Sequence, residues 1–176
     1  WCGYLSRGII LSLMLLDSGS LWYRAFYGMP DTLLAPDGTP VNAIRGYLDM
    51  SARLISMYRP KRLVACLDGD WRPSWRVELF PDYKANRLEE DGEAEEEPDL
   101  LTPQIPILLD VLDAFGIPIV GADDYEADDV MATYAVSEPG PIRIVTGDRD
   151  LFQLVKPDPD IQVIYLARGI SNHDLV

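Results

Sequence analysis

Tyr125-Glu126-Ala127-Asp128-Asp129-Val130-Met131-Ala132-Thr133-Tyr134-Ala135-Val136 sets three carboxylates in four residues and then runs mostly apolar. On a helix Glu126 and Asp129 are three apart and share a face. Asp128 is turned about 100° from Asp129. Like charges held this closely raise the free energy unless a cation neutralises them. An acidic first turn suits the helix dipole, and one or two acids need no further explanation. Here Asp123 and Asp124 precede the cluster, and Asp148 and Asp150 follow a short apolar stretch. That crowding points to a divalent-cation site.

Outward from this segment, apolar strands alternate with helical periods. Residues 9–16 read as a continuous apolar strand, of the kind covered on both faces in a parallel sheet. Asp17 ends it, and Ser18 or Ser20 is placed to cap a helix over 21–27. Residues 28–40 read as loop, and 41–58 as a helix stopped by Pro60. A second strand over 63–67 is again followed by an acid, Asp68. Thr102-Pro103 opens a helix to about 115, with Gly116 suited to its end. Strands over 117–120, 142–145 and 161–166 alternate with a helix over 125–137 and a short one over 151–155. A further helix is expected to begin at Val176. The pattern predicts an α/β fold: a doubly wound parallel sheet with helices on both faces.

The chain has 176 residues, enough for one domain with a proper core. Its net charge is −14, from 29 acids against 15 bases. Such a chain is a poor binder of nucleic acid by bulk charge, and would need a local basic patch or bound metal ions. Cys2 and Cys66 form neither a disulfide framework nor a metal motif, and Cys66 reads as a core residue. A cytoplasmic setting is expected. The apolar run 9–16 is too short to span a bilayer and lacks a small-residue cleavage pattern, so no membrane association is expected. The unusual start at Trp1 suggests a fragment or an altered first strand.

Asp17, Asp68 and Asp148 each follow an apolar strand. In an open parallel sheet such strand ends share one edge, where ligands bind. The topology thus gathers Asp17, Asp68, Glu126, Asp128, Asp129, Asp148 and Asp150. A single Asp after a strand is often a cap or turn residue, and Asp150 suits a cap for the segment at Leu151. Three strand-end acids with a helical cluster exceed what caps explain. Oxygen ligands without His or Cys indicate Mg²⁺ or Mn²⁺ rather than Zn²⁺. Up to seven acids exceeds the need of one ion and suggests a pair. Two ions about 3.5–4 Å apart can activate water, orient a phosphodiester and stabilise the leaving oxygen. The reaction implied is hydrolysis of a phosphate ester without a protein nucleophile. His173, the sole histidine, reads as a surface residue. No phosphate-binding Gly-rich loop with Lys-Ser/Thr is present, and no dinucleotide fingerprint follows the first strand.

Residues 70–87 interleave Trp71, Arg72, Trp75, Arg76, Phe80, Tyr83, Lys84 and Arg87. Bases hold phosphates, and aromatics stack on nucleobases at ~1–3 kcal/mol each. On a helix Trp71/Trp75 and Arg72/Arg76 would form adjacent stripes. Core packing is the competing expectation for both tryptophans. Residues 88–99 carry eight acids and no base, and read as a solvated linker.

Leu15-Leu16-Asp17, Asp68 after the second strand, Tyr83-Lys84-Ala85-Asn86-Arg87, Tyr125-Glu126-Ala127-Asp128-Asp129-Val130 and Thr146-Gly147-Asp148-Arg149-Asp150-Leu151 occur in that order over about 9–166. In these motifs the chain resembles the 5′-nuclease family. That family includes the 5′–3′ exonuclease domain of bacterial DNA polymerase I and stand-alone flap endonucleases. Trp71-Arg72-Pro73 and the acidic run look most like actinobacterial stand-alone members. The resemblance implies a PIN-like, resolvase-like sheet and metal-dependent cleavage of DNA at 5′ flaps or 5′ ends, in replication and repair, with no small-molecule cofactor. It implies that Asp17, Asp68, Glu126, Asp128 and Asp148 are metal ligands, with Asp129 and Asp150 in the same cluster. Tyr83 would stack on a base, Lys84 and Arg87 would contact phosphate and stabilise charge, and Arg24 would contact the 5′ strand. Arg72 and Arg76 join them as expected DNA contacts. Residues 1–176 are expected to be the N-terminal catalytic domain, with 71–99 arch-like within it. Nothing in these residues matches the family's C-terminal helix–three-turn–helix module, which is expected to be missing here. Asp68-Gly69-Asp70 replaces the usual Phe-Asp-Ala. Two other readings stand beside this one: a non-catalytic or impaired nucleic-acid-binding fragment of the same fold, and a PIN-type ribonuclease preferring single-stranded RNA.

Overall fold

The computed structural model describes residues 12–88 and 100–176. The unmatched stretch 1–8, the first residues of the expected strand over 9–16 and the acidic run 89–99 lie outside the described residues. The rest forms one six-stranded sheet in the order β3-β2-β1-β4-β5-β6. Its strands are β1 Leu13–Asp17, β2 Arg62–Cys66, β3 Ile119–Val120, β4 Ile142–Thr146, β5 Ile161–Tyr165 and β6 Asp174–Leu175. The first five run parallel. Five α-helices accompany them: α1 Ser18–Gly28, α2 Asn42–Tyr58, α3 Ser74–Leu79, α4 Gln104–Ala114 and α5 Ala127–Ser137. None is long and apolar enough to cross a membrane.

Every residue of β1 is buried because the sheet is covered on both sides. Met14, Leu16, Ala65, Val145 and Ile164 point to one face and pack with Leu21, Tyr47, Leu54, Leu108 and Leu112 of α1, α2 and α4. Leu13, Leu15, Val64, Cys66, Ile144 and Val163 point to the other and pack with Val130, Met131 and Ala135 of α5. Cys66 is a buried core thiol, pushed up to about 12 mainly by burial.

Several boundaries differ from expectation, each for a local reason. α1 begins at Ser18 because Asp17 is its own cap, Oδ1 accepting from the Ser20 amide at 3.2 Å. α5 begins at Ala127, so Tyr125 and Glu126 precede it and Glu126 is the N-cap. The expected short helix over 151–155 is a 3-10 turn, Asp150–Leu154. The segment expected to start a helix at the end instead forms β6, antiparallel to β5. Val163 and Val176 exchange both amide hydrogen bonds there, at 2.9 and 3.0 Å, covering the otherwise open edge of β5.

From β1 the chain builds outward through β2 and β3 on one side and through β4 and β5 on the other. The reversal lies between β1 and β4, and a crevice opens there at the C-terminal strand ends. The turn after β2 is pinned to the turn before α5: the Gly69 amide donates to the Tyr125 carbonyl at 2.9 Å. A Cβ at Gly69 would lie 1.9 Å from the Ala122 carbonyl oxygen, a contact that only backbone movement relieves. Gly69→Ala should therefore destabilise the protein by at least about 1–3 kcal/mol, read from the midpoint of urea unfolding. An unchanged midpoint would show that the two turns are not locked together.

Candidate active site at the sheet reversal

Three strand ends deliver one acid each. Asp17 is the last residue of β1, and Asp68 and Asp148 stand two residues beyond β2 and β4. The N-terminus of α5 adds Glu126 and Asp128. These five and Asp150 line one cleft of about 790 Å³. Asp129, the seventh expected member, is not in its lining. Its Oδ2 accepts from the Glu126 amide at 3.0 Å and its Oδ1 from Arg76 Nη2 at 2.7 Å. Asp129 is thus the N3 half of a capping box with Glu126, which corrects its placement among the cleft acids. Asp150 is exposed at the rim, its amide donating to Asp148 Oδ1 at 2.8 Å.

Burial and like charge dominate the cleft. Asp17 is pushed up to about 6 by burial, opposed by hydrogen bonds from Thr146 and Ser20 and reinforced by Asp68 and Asp148. Asp128 is pushed up to about 7, again by burial first and then by Asp17, Asp148, Glu126 and Asp68. Burial also raises Asp68, opposed by the Ala127 amide at 2.7 Å and by Lys84 and Arg87. Asp17 and Asp128 therefore each feel several of the other acids.

The residues after β2 form a strap over one side of the cleft. Tyr83, Lys84 and Arg87 line it. Glu126, only 4% exposed, holds the strap down. Its Oε1 accepts from Arg76 Nη1 at 2.5 Å and the Tyr83 hydroxyl at 2.6 Å, and its Oε2 from Lys84 Nζ at 2.5 Å. The Arg76 guanidinium lies over the Trp75 and Tyr83 rings, 4.8 and 5.4 Å from their centres. Arg72 donates to the carbonyls of Tyr83 and Pro81 at 2.7 and 2.9 Å. Arg72 and Arg76, expected as DNA contacts, are thus engaged within the protein. The expected paired stripes are absent because α3 begins at Ser74, leaving Trp71 and Arg72 outside the helix. Both tryptophans are half-buried on the strap rather than in the core. Trp75 Nε1 donates to the Asp124 carbonyl at 3.1 Å, and Ser74 donates to the Asp124 carboxylate through its amide and hydroxyl.

The donor set, carboxylate oxygen only, fits a hard divalent cation in charge and chemistry. Their mutual repulsion is what such an ion relieves. Among the described residues, however, no three His, Cys, Asp or Glu side chains are arranged around one point to hold an ion. Both oxygens of Glu126 accept from strap donors, one of Asp68 from the Ala127 amide, and the two of Asp17 from the Ser20 amide and the Thr146 hydroxyl. Asp17, Asp68, Asp128 and Asp148 are the groups that would hold a cation, through the lone pairs these hydrogen bonds leave on their oxygens.

Arg24 lies on α1 beside Gly147, with a guanidinium nitrogen 3.2 Å from where a Gly147 Cβ would sit. His173 is half-buried away from the cleft, with Nε2 2.6 Å from the Tyr58 hydroxyl and Nδ1 2.8 Å from the Ile170 carbonyl oxygen. Two residues given no part in the site from sequence, Ser20 and Thr146, bond to Asp17. Thr146 sits in the Thr-Gly-Asp motif, but nothing in its spacing reveals a contact to Asp17.

Residues 12–175 match the family model described as 5′–3′ exonuclease, N-terminal resolvase-like domain. A 5′–3′ exonuclease of Streptomyces coelicolor is 54% identical over 167 residues, covering 93% of this chain and 56% of that protein. One from Mycobacterium tuberculosis is 49% identical over 170 residues, covering 93% and 54%. The chain thus spans just over half the length of these curated relatives. A structure of T5 5′-exonuclease with bound divalent metal ions (zinc) superposes with a TM-score of 0.65 at 21% identity, over 93% of this chain and 57% of that one. A bacteriophage T5 D15 flap endonuclease in a pseudo-enzyme-product complex with DNA and metal ions gives 0.62 at 20%, over 89% and 56%. These likenesses establish the same fold.

The raised acids have a measurable consequence without metal. The folded state keeps protons on Asp17 and Asp128 that the unfolded chain releases above its ordinary 3.8. Their contribution to stability is complete below about pH 4 and is lost as pH rises through about 6 and 7. Asp128→Asn should raise the melting temperature in EDTA at neutral pH and flatten the decline between those limits. Thermal melts across that range check it, and an unaltered slope would refute the assignment of the repulsion to Asp128.

Proposed function

The chain belongs to the 5′–3′ exonuclease family, through that family's N-terminal resolvase-like domain, and from that premise we propose that it is the catalytic domain of a divalent-cation-dependent 5′–3′ exonuclease and flap endonuclease acting on DNA in replication and repair. The observation that carries this reading is the convergence of Asp17, Asp68, Asp128 and Asp148 in one cleft whose open side is bordered by Tyr83, Lys84 and Arg87. Mg²⁺ or Mn²⁺ is the proposed cation. When bound, it would supply activation of water and neutralisation of charge on the scissile phosphate.

The chain's own residues do the rest. Lys84 and Arg87 place positive charge at the cleft wall, where they bind phosphate and stabilise charge developing during cleavage. The Tyr83 ring offers a stacking face for a base beside the scissile bond. Arg24, on α1, takes the 5′ strand. Arg72 is assigned to holding the strap through the carbonyls of residues 81 and 83, and Arg76 to clamping Glu126 and Asp129. Lys84 changes partner in this scheme, leaving Glu126 for a phosphate when DNA enters.

One observation favours a second reading, a non-catalytic nucleic-acid-binding chain: the strap ties up Glu126, and among the described residues no trio of acids stands ready for a cation. One assay separates the readings. The full-length protein should cut 5′-flap DNA with Mg²⁺ or Mn²⁺, and Asp148→Asn should lower turnover by about 10²-fold or more with its melting curve unchanged. Flap binding without cleavage by the wild type at any metal concentration would favour the second reading. Preferential cutting of single-stranded RNA would point to a PIN-type ribonuclease.

A further inference from the structure

Across the sheet reversal, β1 and β4 are joined by more than their ladder. Thr146, the last residue of β4, is fully buried. Its hydroxyl donates to Asp17 Oδ2 at 2.6 Å and accepts from the Asp148 amide at 2.9 Å. One oxygen therefore touches a side chain from β1 and the backbone of the acid that follows β4. A second tie runs beside it. The Gly147 amide donates to Ser20 Oγ at 2.9 Å, and the Ser20 amide donates to Asp17 Oδ1 at 3.2 Å. Both oxygens of Asp17 are thereby fixed, one from β4 and one from α1. The clasp has no slack at Gly147, where a Cβ would meet Ser20 Oγ at 2.8 Å.

We propose that Thr146 is a positioning residue for the cation site: its hydroxyl sets the orientation of the Asp17 carboxylate and the path of the backbone at Asp148 together. The inference rests on the proposed metal-binding reading of the same cleft. A hydroxyl suits the task because it donates once and accepts at the same atom. An apolar residue of the same shape would leave a buried acceptor on Asp17 and an unpaired amide at Asp148, and each would turn toward any other partner. Groups that orient ligands from behind commonly matter to metal affinity almost as much as the ligands.

The test is Mn²⁺ binding, followed by the electron paramagnetic resonance of the free ion, on the full-length protein. Wild type, Thr146→Val and Thr146→Ser are compared, with circular dichroism as the check on folding. Valine keeps the shape and loses the hydroxyl, and should weaken Mn²⁺ binding about 10–100-fold. Serine keeps the hydroxyl and should stay within about threefold of wild type, a rescue that a packing role would not produce. Equal affinity of folded Thr146→Val and wild type overturns the proposal, as does a serine variant as weak as valine. Should the valine variant fail to fold, Thr146→Cys replaces it, and cysteine binding as tightly as serine overturns the proposal. A wild type that takes up no Mn²⁺ overturns both the metal reading and the proposal, whereas normal wild-type binding with an unaffected valine variant overturns the proposal alone.

Discussion

Mutual repulsion among the carboxylates gathered at the sheet reversal is the constraint to which the surrounding structure answers. Asp17, Asp68, Asp128 and Asp148 come from separate elements, and each is pushed toward its neutral form or pushes a neighbour there. The fold counters this with donors rather than with distance. The first amide of α5 goes to Asp68, the Ser20 amide and Thr146 hydroxyl go to Asp17, and the strap's cations go to Glu126. Breaking a buried, hydrogen-bonded ion pair of this sort costs about 3–5 kcal/mol, because it leaves a charge without compensation. The strap is thus held by the same acids whose repulsion it relieves.

Much of this frame can be read from the chain before any coordinates. A continuous apolar run ending in Asp says that the strand is covered on both faces and that its end is polar. Three such runs put Asp17, Asp68 and Asp148 on one edge. Alternation of strands and helices points to a doubly wound parallel sheet, while the order that sets the reversal between β1 and β4 comes from the structure. What periodicity does not carry is which donor answers which acid. Thr146 and Asp17 are 129 residues apart, and their bond depends on the pairing of β1 with β4 and on one buried rotamer. Glu126 looks like the first turn of a helix, yet it is the N-cap, because the Asp129 side chain accepts from its amide and its carbonyl accepts from the Asp129 amide. The aromatic-basic stretch read as a contact surface for nucleic acid. The short α3 starts late enough that Arg72 and Arg76 turn inward to carbonyls and carboxylates.

Charge explains why this inward turn matters. At −14 overall, the chain repels a polyanion at long range. Screening confines that repulsion to about 10 Å at 0.1 M salt, so the local cations decide what happens at contact. Lys84 and Arg87 are the strap cations that line the cleft, and Lys84 is already paired with Glu126. Under the proposed function, a divalent ion and a phosphate backbone therefore act in the same direction. Asp17, Asp68, Asp128 and Asp148 would share the charge of a bound ion, and the hold of Glu126 on Lys84 would then weaken. The phosphate offers Lys84 a new anionic partner outside the protein. Each change makes the other easier without any direct contact between ion-binding and phosphate-binding side chains. The coupling needs only that one buried carboxylate, Glu126, share its charge between the acidic cluster and the strap.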